Sequence, residues 1–322
     1  MCTAVQFRGE NTWFGRTLDY EHGFAERILI LPRKLPLSFR HEETMEEHYA
    51  MIGIGVPIQG YPLFFDAMNE HGLFMAGLNF SHSAVYGKPQ MGRYNISFFE
   101  LIPWVLSQCE TVQDAKRLLQ KTQITDTLFA DDIPRSTLHW MVADETSALV
   151  VEAVAEGVKL YDNPVGVLTN EPPFPSQLYH LDHFLNLTSS PAQNTFAEHL
   201  PLHAYSRGMG AIGLPGDLSS ASRFVRVAFN MHNAVCQDTN ERTEFFHIMD
   251  SVQQSRGCCQ IREGEYEITL YTAGYHAQGR TLYYHTYDNR QLRGVRLGQR
   301  EMNAMKLSQY SLRDEENVLF KN

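Results

Sequence analysis

The sequence lacks long apolar runs and has no excess of positive charge. No stretch approaches the roughly 20 apolar residues of a membrane-spanning helix, and no basic segment followed by an apolar one opens the chain as an export signal would. The 322 residues carry a formal net charge of −10, which argues against nucleic-acid binding because such proteins present a basic face. We therefore expect a cytoplasmic protein that binds neither nucleic acid nor membranes.

Cysteine is scarce, and its spacing is irregular. The five cysteines do not suggest a disulfide framework. No CxxC or HExxH motif occurs, and the 14 histidines are scattered, so we predict no metal site and no cofactor. Glycine-rich phosphate loops and a GxSxG nucleophile elbow are also missing. These absences argue against the common nucleotide-binding folds and against serine hydrolases of the α/β type.

Strand-like and helix-like segments form separate blocks along the chain. Period-two or continuously apolar runs predict strands, and apolar residues at helical spacing predict helices. The predicted strands are 2–7, 13–19, 27–31, 50–56, 72–80, 138–143, 148–154, 165–169, 266–275 and 281–287, and the predicted helices are 96–107, 111–122, 222–234 and 241–254. This order predicts an α+β protein with stacked sheets and external helices, formed as one domain over 1–322 with a C-terminal tail from about 305.

The most informative residue is Cys2. If Met1 is removed, Cys2 carries a thiol and a free α-amine, whose reference pKa values are about 8.5 and about 7.7–8.0. An amine that is partly neutral at pH 7 can act as the general base for the neighbouring thiol. One residue could then supply both nucleophile and base, and removal of Met1 would be the whole activation step.

Other polar residues stand in predicted strands, at strand ends or at a helix start. They are Arg16, Asp19, Asn79, Asn170 and Arg223. Each has an ordinary explanation, such as turn chemistry for the asparagines or an ion pair between Arg16 and Asp19. Side chains alternate along a strand, so Arg16 and Asp19 should face opposite sides. Both reach one site only if the strand bends, bulges or ends between them, and we predict an end near Asp19.

Taken together, these segments resemble the choloylglycine hydrolases, which comprise the bile salt hydrolases and the penicillin V acylases. The shared stretches are Met-Cys-Thr at 1–3, Phe-Gly-Arg-Thr-Leu-Asp at 14–19, Gly-Leu-Asn-Phe at 77–80, Leu-Thr-Asn at 168–170, Leu-Pro-Gly-Asp at 214–217 and Ala-Ser-Arg-Phe at 221–224. The resemblance runs from residue 2 to at least residue 287. It implies a four-layer αββα N-terminal-nucleophile hydrolase fold with antiparallel sheets, hydrolysis of a linear amide C–N bond, and a homotetramer.

The resemblance also implies a catalytic set, Cys2, Arg16, Asp19, Asn79, Asn170 and Arg223. The Cys2 thiol would attack the amide carbonyl while its α-amine passes a proton to the leaving nitrogen. Arg16 would favour the thiolate, and Asp19 would accept a hydrogen bond from the α-ammonium. The two asparagine amides would donate to the oxyanion, and Arg223 would complete the polar shell.

Asn79 favours conjugated bile salts as substrates, because several penicillin V acylases carry Tyr at this position. A steroid body requires a broad apolar wall. In the family the loop at 58–65 lines the steroid site, which predicts contacts from Ile58, Phe64, Phe65 and Ala67, with a facing wall of Tyr20, His22 and Phe24. Segment 129–135 is a weaker candidate. Residues 81–86 depart from the Asn-Phe-Pro pattern often found after this asparagine, which affects the expected loop shape and substrate preference.

Three other functions stay open at this point. Penicillin V acylase is the nearest alternative, and a non-catalytic bile-acid binder with the same fold is a second. A glutamine amidotransferase domain is more distant, because it would normally carry Gly where this chain has Thr3. The acidic and apolar segment 313–320 could be a subunit contact or disordered.

Overall fold

The computed structural model describes residues 1–236, 240–312, 315–316 and 318–322. Its regular elements follow one another in the blocks that the sequence predicts. The strands are β1 (Cys2–Arg8), β2 (Thr12–Tyr20), β3 (Arg27–Leu31), β4 (Met51–Ile58), β5 (Tyr61–Asn69), β6 (Phe74–Asn79), β7 (Tyr94–Ser97), β8 (Thr122–Thr125), β9 (Leu138–Ala143), β10 (Ala148–Val154), β11 (Gly157–Asp162), β12 (Val167–Leu168), β13 (Gln260–Arg262), β14 (Glu265–Tyr266), β15 (Ile268–His276), β16 (Thr281–Thr286), β17 (Arg293–Arg296) and β18 (Ser308–Ser311). The α-helices are α1 (Leu101–Leu106), α2 (Val112–Leu119), α3 (Phe174–Leu181), α4 (Ser220–Asn233), α5 (Glu241–Asp250) and α6 (Gln299–Met302).

Two large antiparallel sheets are stacked face to face. The nucleophile sheet has the order β12-β1-β2-β15-β16-β17, and the partner sheet has the order β11-β10-β9-β6-β5-β4-β3-β18. Phe14 of the first sheet stacks on Phe74 of the second at 5.5 Å between ring centroids. Trp13, on the opposite face of β2, stacks on Phe245 of α5 at 5.8 Å. Side-chain alternation in β2 therefore gives the nucleophile sheet one face toward the partner sheet and one toward the helices.

The outer face of the partner sheet is covered by α1 and α2. Buried residues of α1, including Leu101 and Trp104, share an apolar core with Met75 and Trp140 of the sheet. The order of layers is helix, sheet, sheet, helix, which confirms the αββα architecture. Among the described residues, no helix is both long and apolar enough to span a membrane.

Local sequence signals explain several elements directly. The predicted strands at 138–143 and 148–154 are β9 and β10. Thr111 caps α2 as predicted: its hydroxyl accepts from the backbone N–H of Asp114, and the Asp114 carboxylate accepts from the backbone N–H of Thr111, both at 3.1 Å. The predicted helix at 222–234 is α4, which begins two residues earlier.

Two predictions of local structure are wrong. Segment 58–65, predicted as a loop, is a hairpin between β4 and β5 whose turn residues Gln59 and Gly60 have φ of 51° and 81°. Segment 96–107 is not one helix, because β7 runs through residue 97 and pairs in parallel with β8 before α1 begins.

The C-terminal tail also starts later than predicted. Residues 308–311 form β18, which pairs with β3 at the edge of the partner sheet. Backbone pairing thus holds part of the segment after 305 in the fold. The segment 313–317, which contains three acidic residues, lies partly outside the described residues, whereas Leu319 and Phe320 are exposed.

Candidate active site

Cys2 is the first residue of β1, and its side chain is buried between the two sheets. Arg16 lies on the same face of β2, because it pairs with Ala4 while Cys2 pairs with Leu18. Its Nη2 donates to Cys2 Sγ at 2.6 Å. The guanidinium is fixed by further donation to the carbonyls of Gly77 (2.9 Å) and Thr17 (3.1 Å). The thiol therefore meets a fully buried cation whose position is set by backbone acceptors.

The charge environment keeps Arg16 protonated. Burial lowers the pKa of Arg16, but the negative charge associated with Cys2, Tyr271 and Asp66 outweighs burial and raises the pKa above its ordinary value. A permanent positive charge in contact with Sγ can stabilise negative charge on the sulfur during a nucleophilic attack. The role predicted for Arg16 requires this contact, and the role itself stays a prediction.

The backbone of Cys2 is held from the helix side of the nucleophile sheet. Its N–H donates to Asn170 Oδ1 at 2.8 Å. Arg223 of α4 donates from Nη2 to the same oxygen at 2.7 Å and from Nη1 to the carbonyl of Cys2 at 2.6 Å. Burial lowers the pKa of Arg223, while the nearby Asp19 and Cys2 oppose that change. Arg223 thus links the backbone of Cys2 to the side chain of Asn170 through hydrogen bonds to both.

Asn79 joins this group through its backbone. It is the last residue of β6, its side chain is exposed, and its carbonyl accepts from Asn170 Nδ2 at 2.8 Å. The following loop is also tied to the segment after Asn170, because Glu171 Oε1 accepts from the N–H groups of His82 (3.0 Å) and Ser83 (2.9 Å). Residues 81–86 therefore have a fixed path although they depart from the family pattern.

Asp19 approaches the site from the face opposite to Arg16. Its buried carboxylate accepts from Thr269 Oγ1 at 2.6 Å, Thr17 Oγ1 at 3.2 Å and Gln254 Nε2 at 3.3 Å. Its backbone N–H donates to the carbonyl of Met1 at 2.9 Å. The carboxylate thus has three side-chain donors, and the contact to a free α-amine remains a prediction that concerns the processed N-terminus.

The strand geometry differs from the prediction in one respect. β2 ends at Tyr20, close to the predicted end at Asp19, but alternation persists up to that end. The irregularity lies in the neighbouring β15, where the register shifts between Thr269 and Tyr271. Arg16 and Asp19 reach the first residue of β1 from the two faces of the sheet, so β2 itself needs no bulge.

Several buried groups behind Asn170 were missed from the sequence. His139 Nε2 donates to the carbonyl of Thr169 at 3.0 Å, and its Nδ1 lies 3.3 Å from Glu152 Oε1. Ser220 Oγ accepts from the N–H of Asn170 at 2.8 Å. These contacts fix the strand end that carries Asn170. A glutamate at 152 in an otherwise apolar strand was an available signal for them.

An aromatic patch lies beside the Cys2–Arg16 contact. It consists of Tyr20, His22, Phe24 and Phe65, whose ring centroids are 4.8 Å (Tyr20–Phe24), 5.4 Å (His22–Phe24) and 5.5 Å (Phe24–Phe65) apart. The carbonyl of Phe65 accepts from Arg16 Nη1 at 3.4 Å, which joins the patch to the nucleophile. Four of the residues predicted to contact substrate therefore form one surface.

Phe64 and Ala67 do not belong to this surface, which corrects the prediction for them. Both are buried in the outer core between the partner sheet and α1. The register of β4 and β5 shifts between Ile54 and Gly55, so Phe64 and Phe65 do not follow the simple alternation that the rest of the hairpin keeps. Ile58 is half-buried at the end of β4.

The weaker candidate segment at 129–135 is anchored at Phe129, whose ring centroid lies 5.9 Å from that of Tyr61 on β5. Arg40 donates from Nη2 to the carbonyl of Phe129 at 2.7 Å, and its guanidinium lies 5.2 Å from the Phe129 ring centroid. Within the described part of the chain, no three or more His, Cys, Asp or Glu side chains are grouped to hold a metal ion.

Comparison with known proteins agrees with this geometry. The model of the linear amide C–N hydrolases, choloylglycine hydrolase family, matches residues 2–310. A bile salt hydrolase/transferase of Lactiplantibacillus plantarum is 46% identical over 317 residues, which cover 98% of each chain. The structure of the C2A mutant of the conjugated bile acid hydrolase from Clostridium perfringens aligns with a TM-score of 0.92 at 31% identity, covering 100% of both chains.

A more distant structure shares the fold alone. Penicillin V acylase from Agrobacterium tumefaciens aligns with a TM-score of 0.76 at 18% identity, over 96% of this chain and 91% of that one. The match over residues 2–310, together with the close relative and the shared architecture, establishes the family. The chain belongs to the choloylglycine hydrolase family of linear amide C–N hydrolases.

Proposed function

We propose that this protein hydrolyses the amide bond of conjugated bile salts and releases glycine or taurine, with Cys2 as nucleophile after Met1 has been removed. The observation that carries this proposal is the double restraint on Cys2, whose Sγ accepts from Arg16 and whose N–H donates to Asn170. Both of its reacting groups are oriented by buried partners. The 46% identical relative that is named a bile salt hydrolase/transferase supports the choice of substrate.

The chemistry follows from the placement of these groups. The Cys2 thiolate, favoured by Arg16, attacks the amide carbonyl, and the resulting oxyanion requires hydrogen-bond donors. We assign these donors to the side-chain amides of Asn79 and Asn170. The α-amine passes a proton to the leaving nitrogen, and the C–N bond breaks to give a thioester. Water then attacks the thioester with the α-amine as base, which releases the bile acid and regenerates the thiol.

The steroid body is proposed to lie on the aromatic patch. Apolar pockets with few polar anchors suit rigid hydrophobic ligands, and Phe24 retains 37% exposure and is thus accessible to a ligand. The carbonyl of Phe65 contacts Arg16, so a ligand on this surface lies next to the nucleophile.

A Cys2→Ala variant tests the proposal. We expect no release of glycine from glycocholate, while binding of the bile acid persists because the aromatic patch is untouched. Cys258→Ala is the matched control, since Cys258 is a free and exposed thiol, and it should retain full activity. Hydrolysis by Cys2→Ala would contradict the mechanism. Intact-mass measurement of the wild-type protein tests whether Met1 is removed.

Parallel assays separate the alternatives. Preferential hydrolysis of phenoxymethylpenicillin over glycocholate would favour a penicillin V acylase, and binding without turnover of either would favour a non-catalytic binder. Assembly as a homotetramer and location in the cytoplasm stay predictions, which sedimentation analysis and cell fractionation test.

A further inference from the structure

A buried carboxylate lies on the far side of Arg16 from the nucleophile. Asp66 is on β5 of the partner sheet, where it pairs with Ile54 and Ala76, and it is fully buried. Its Oδ2 lies 3.8 Å from Arg16 Nη1, while Nη2 of the same guanidinium contacts Cys2 Sγ at 2.6 Å. Arg16 is therefore placed between two groups that can each carry a negative charge.

Two tyrosines fix the carboxylate. Tyr271 OH donates to Asp66 Oδ2 at 2.5 Å, and Tyr275 OH donates to Oδ1. The tyrosines are four residues apart on β15 and hence on one face of the strand, on either side of Ala273, which pairs with Arg16. Burial raises the pKa of Asp66, while Arg16 and the two tyrosine hydroxyls act in the opposite direction and favour the ionised carboxylate.

Charge balance gives this arrangement a role. An unpaired cation inside a protein is very costly, and a neutral Cys2 thiol gives Arg16 no counter-charge. Asp66 supplies that charge from within the same buried space between the sheets. When Cys2 ionises, two anions share one guanidinium, so the negative Asp66 opposes ionisation of the thiol. When the sulfur becomes a neutral thioester, Asp66 again balances Arg16.

We propose that Asp66, held by Tyr271 and Tyr275, is a positioning residue that sets how readily Cys2 ionises by sharing Arg16 with it. The inference rests on the proposed role of Cys2 as nucleophile.

Other ionisable groups surround Cys2, and each variant used to test this role changes no more than one of them. On the helix side these are Asp19, Arg223 and Glu267, and between the sheets they are Arg16, Asp66, Tyr271 and Tyr275. Asp66 lies between the two sheets, as the Cys2 thiol does, whereas the Asp19 carboxylate lies on the helix side of the nucleophile sheet. A change at Asp66 therefore acts on the thiol through Arg16, without altering the hydrogen bonds of the Cys2 backbone.

The test measures the pH dependence of iodoacetamide alkylation at Cys2, followed by mass analysis of the N-terminal peptide. In Asp66→Asn we expect the alkylation midpoint to move to lower pH by roughly half a unit to one unit, because a competing anion is lost. Tyr271→Phe removes a hydrogen bond that lowers the pKa of Asp66, which favours the neutral carboxyl and should move the midpoint in the same direction by less. It also serves as the second variant should Asp66→Asn fold poorly.

Asp144→Asn is the matched control. Asp144 is also buried and hydrogen-bonded, but it caps α2 through the N–H of Val112 at 2.7 Å, away from Cys2. It should lose thermal stability and keep the wild-type midpoint. An unchanged or raised midpoint in both Asp66→Asn and Tyr271→Phe would overturn the proposal, since a purely structural role lowers stability alone.

The same experiment separates this inference from the proposed function. Alkylation reports on the thiol and uses no bile salt. If the wild type fails to hydrolyse glycocholate while Asp66→Asn shows the shifted midpoint, only the proposed substrate is refuted. A wild type that hydrolyses glycocholate while both variants keep its midpoint would refute only the role of Asp66.

Discussion

Replacing Arg223 by lysine tests how far the site depends on one planar set of donors. The fully buried guanidinium donates from Nη1 to the carbonyl of Cys2 at 2.6 Å and to Thr3 Oγ1 at 2.5 Å. It donates from Nη2 to Asn170 Oδ1 at 2.7 Å and from Nε to the carbonyl of Leu218 at 3.0 Å. These acceptors lie in three separate chain segments, which the side chain of one residue joins.

The magnitude follows from the donors that lysine cannot supply. An ammonium group concentrates its donors at one point, so it cannot span acceptors that the guanidinium reaches from three nitrogens. If two acceptors lose their partner, at about 1–3 kcal/mol for each buried unsatisfied group, the free energy of unfolding falls by about 2–6 kcal/mol. Because Asn170 also orients the Cys2 nitrogen, we expect kcat for glycocholate to fall at least roughly tenfold, which corresponds to about 1.4 kcal/mol.

Urea unfolding and glycine release from glycocholate measure the two effects. Arg226→Lys is the matched control, because Arg226 lies on the same helix and donates to the carbonyls of Ser251 and Pro215, away from Cys2. It should lose some stability with kcat unchanged. An Arg223→Lys protein whose unfolding free energy and kcat both equal those of the wild type would refute the reasoning.

Three further outcomes are expected. Ser220→Ala removes the hydroxyl that accepts from the backbone N–H of Asn170, and it should lower kcat several-fold at unchanged KM. The hydroxyl of Ser219 caps no N–H of α4, so Ser219→Ala should have wild-type kinetics. Phe24→Ala should raise KM for glycocholate roughly three- to tenfold through loss of an aromatic contact, with kcat nearly constant in steady-state assays. Hydrogen bonds from Ser219 and Ser222 lower the pKa of Asp217 to about 2, so its contribution to stability is present above about pH 4 and lost as the pH falls toward 2; Asp217→Asn should remove this acid dependence from thermal unfolding curves.

The sequence allowed the layer order to be predicted, and it identified residues that the structure places around Cys2, because these depend on short-range pattern and on motif order. The catalytic roles of those residues stay predictions. Alternation in β2 correctly assigned Arg16 and Asp19 to opposite faces. It did not predict that one site can use both faces, because that depends on where β1 begins. A strand's first residue exposes its nitrogen at the sheet end, and groups from either side can reach it.

Long-range partners account for the residues that were missed. Asp66 accepts a hydrogen bond from Tyr271, which is 205 residues away in the sequence. No local sequence pattern identifies either residue as a partner of the other. The hairpin of β4 and β5 was missed for a different reason, because its apolar content suggested a ligand-binding loop. The bulge at Phe65 breaks the side-chain alternation of β5, so Phe64 lies in the outer core instead of facing the nucleophile sheet.

The use of both faces has a chemical consequence. If Asp19 lay on the same face as Arg16, the two would pair, and the guanidinium would be drawn from the thiol while the carboxylate was neutralised. The sheet backbone between them prevents this direct pairing, so Arg16 contacts Sγ while the Asp19 carboxylate takes its hydrogen bonds on the helix side. The proposed pairing of Asp66 with Arg16 lies between the sheets, on the opposite side of β2 from the hydrogen bonds of the Asp19 carboxylate. We therefore expect the two groups of a processed Cys2 to respond to different carboxylates, the thiol to Asp66 through Arg16 and the α-amine to Asp19.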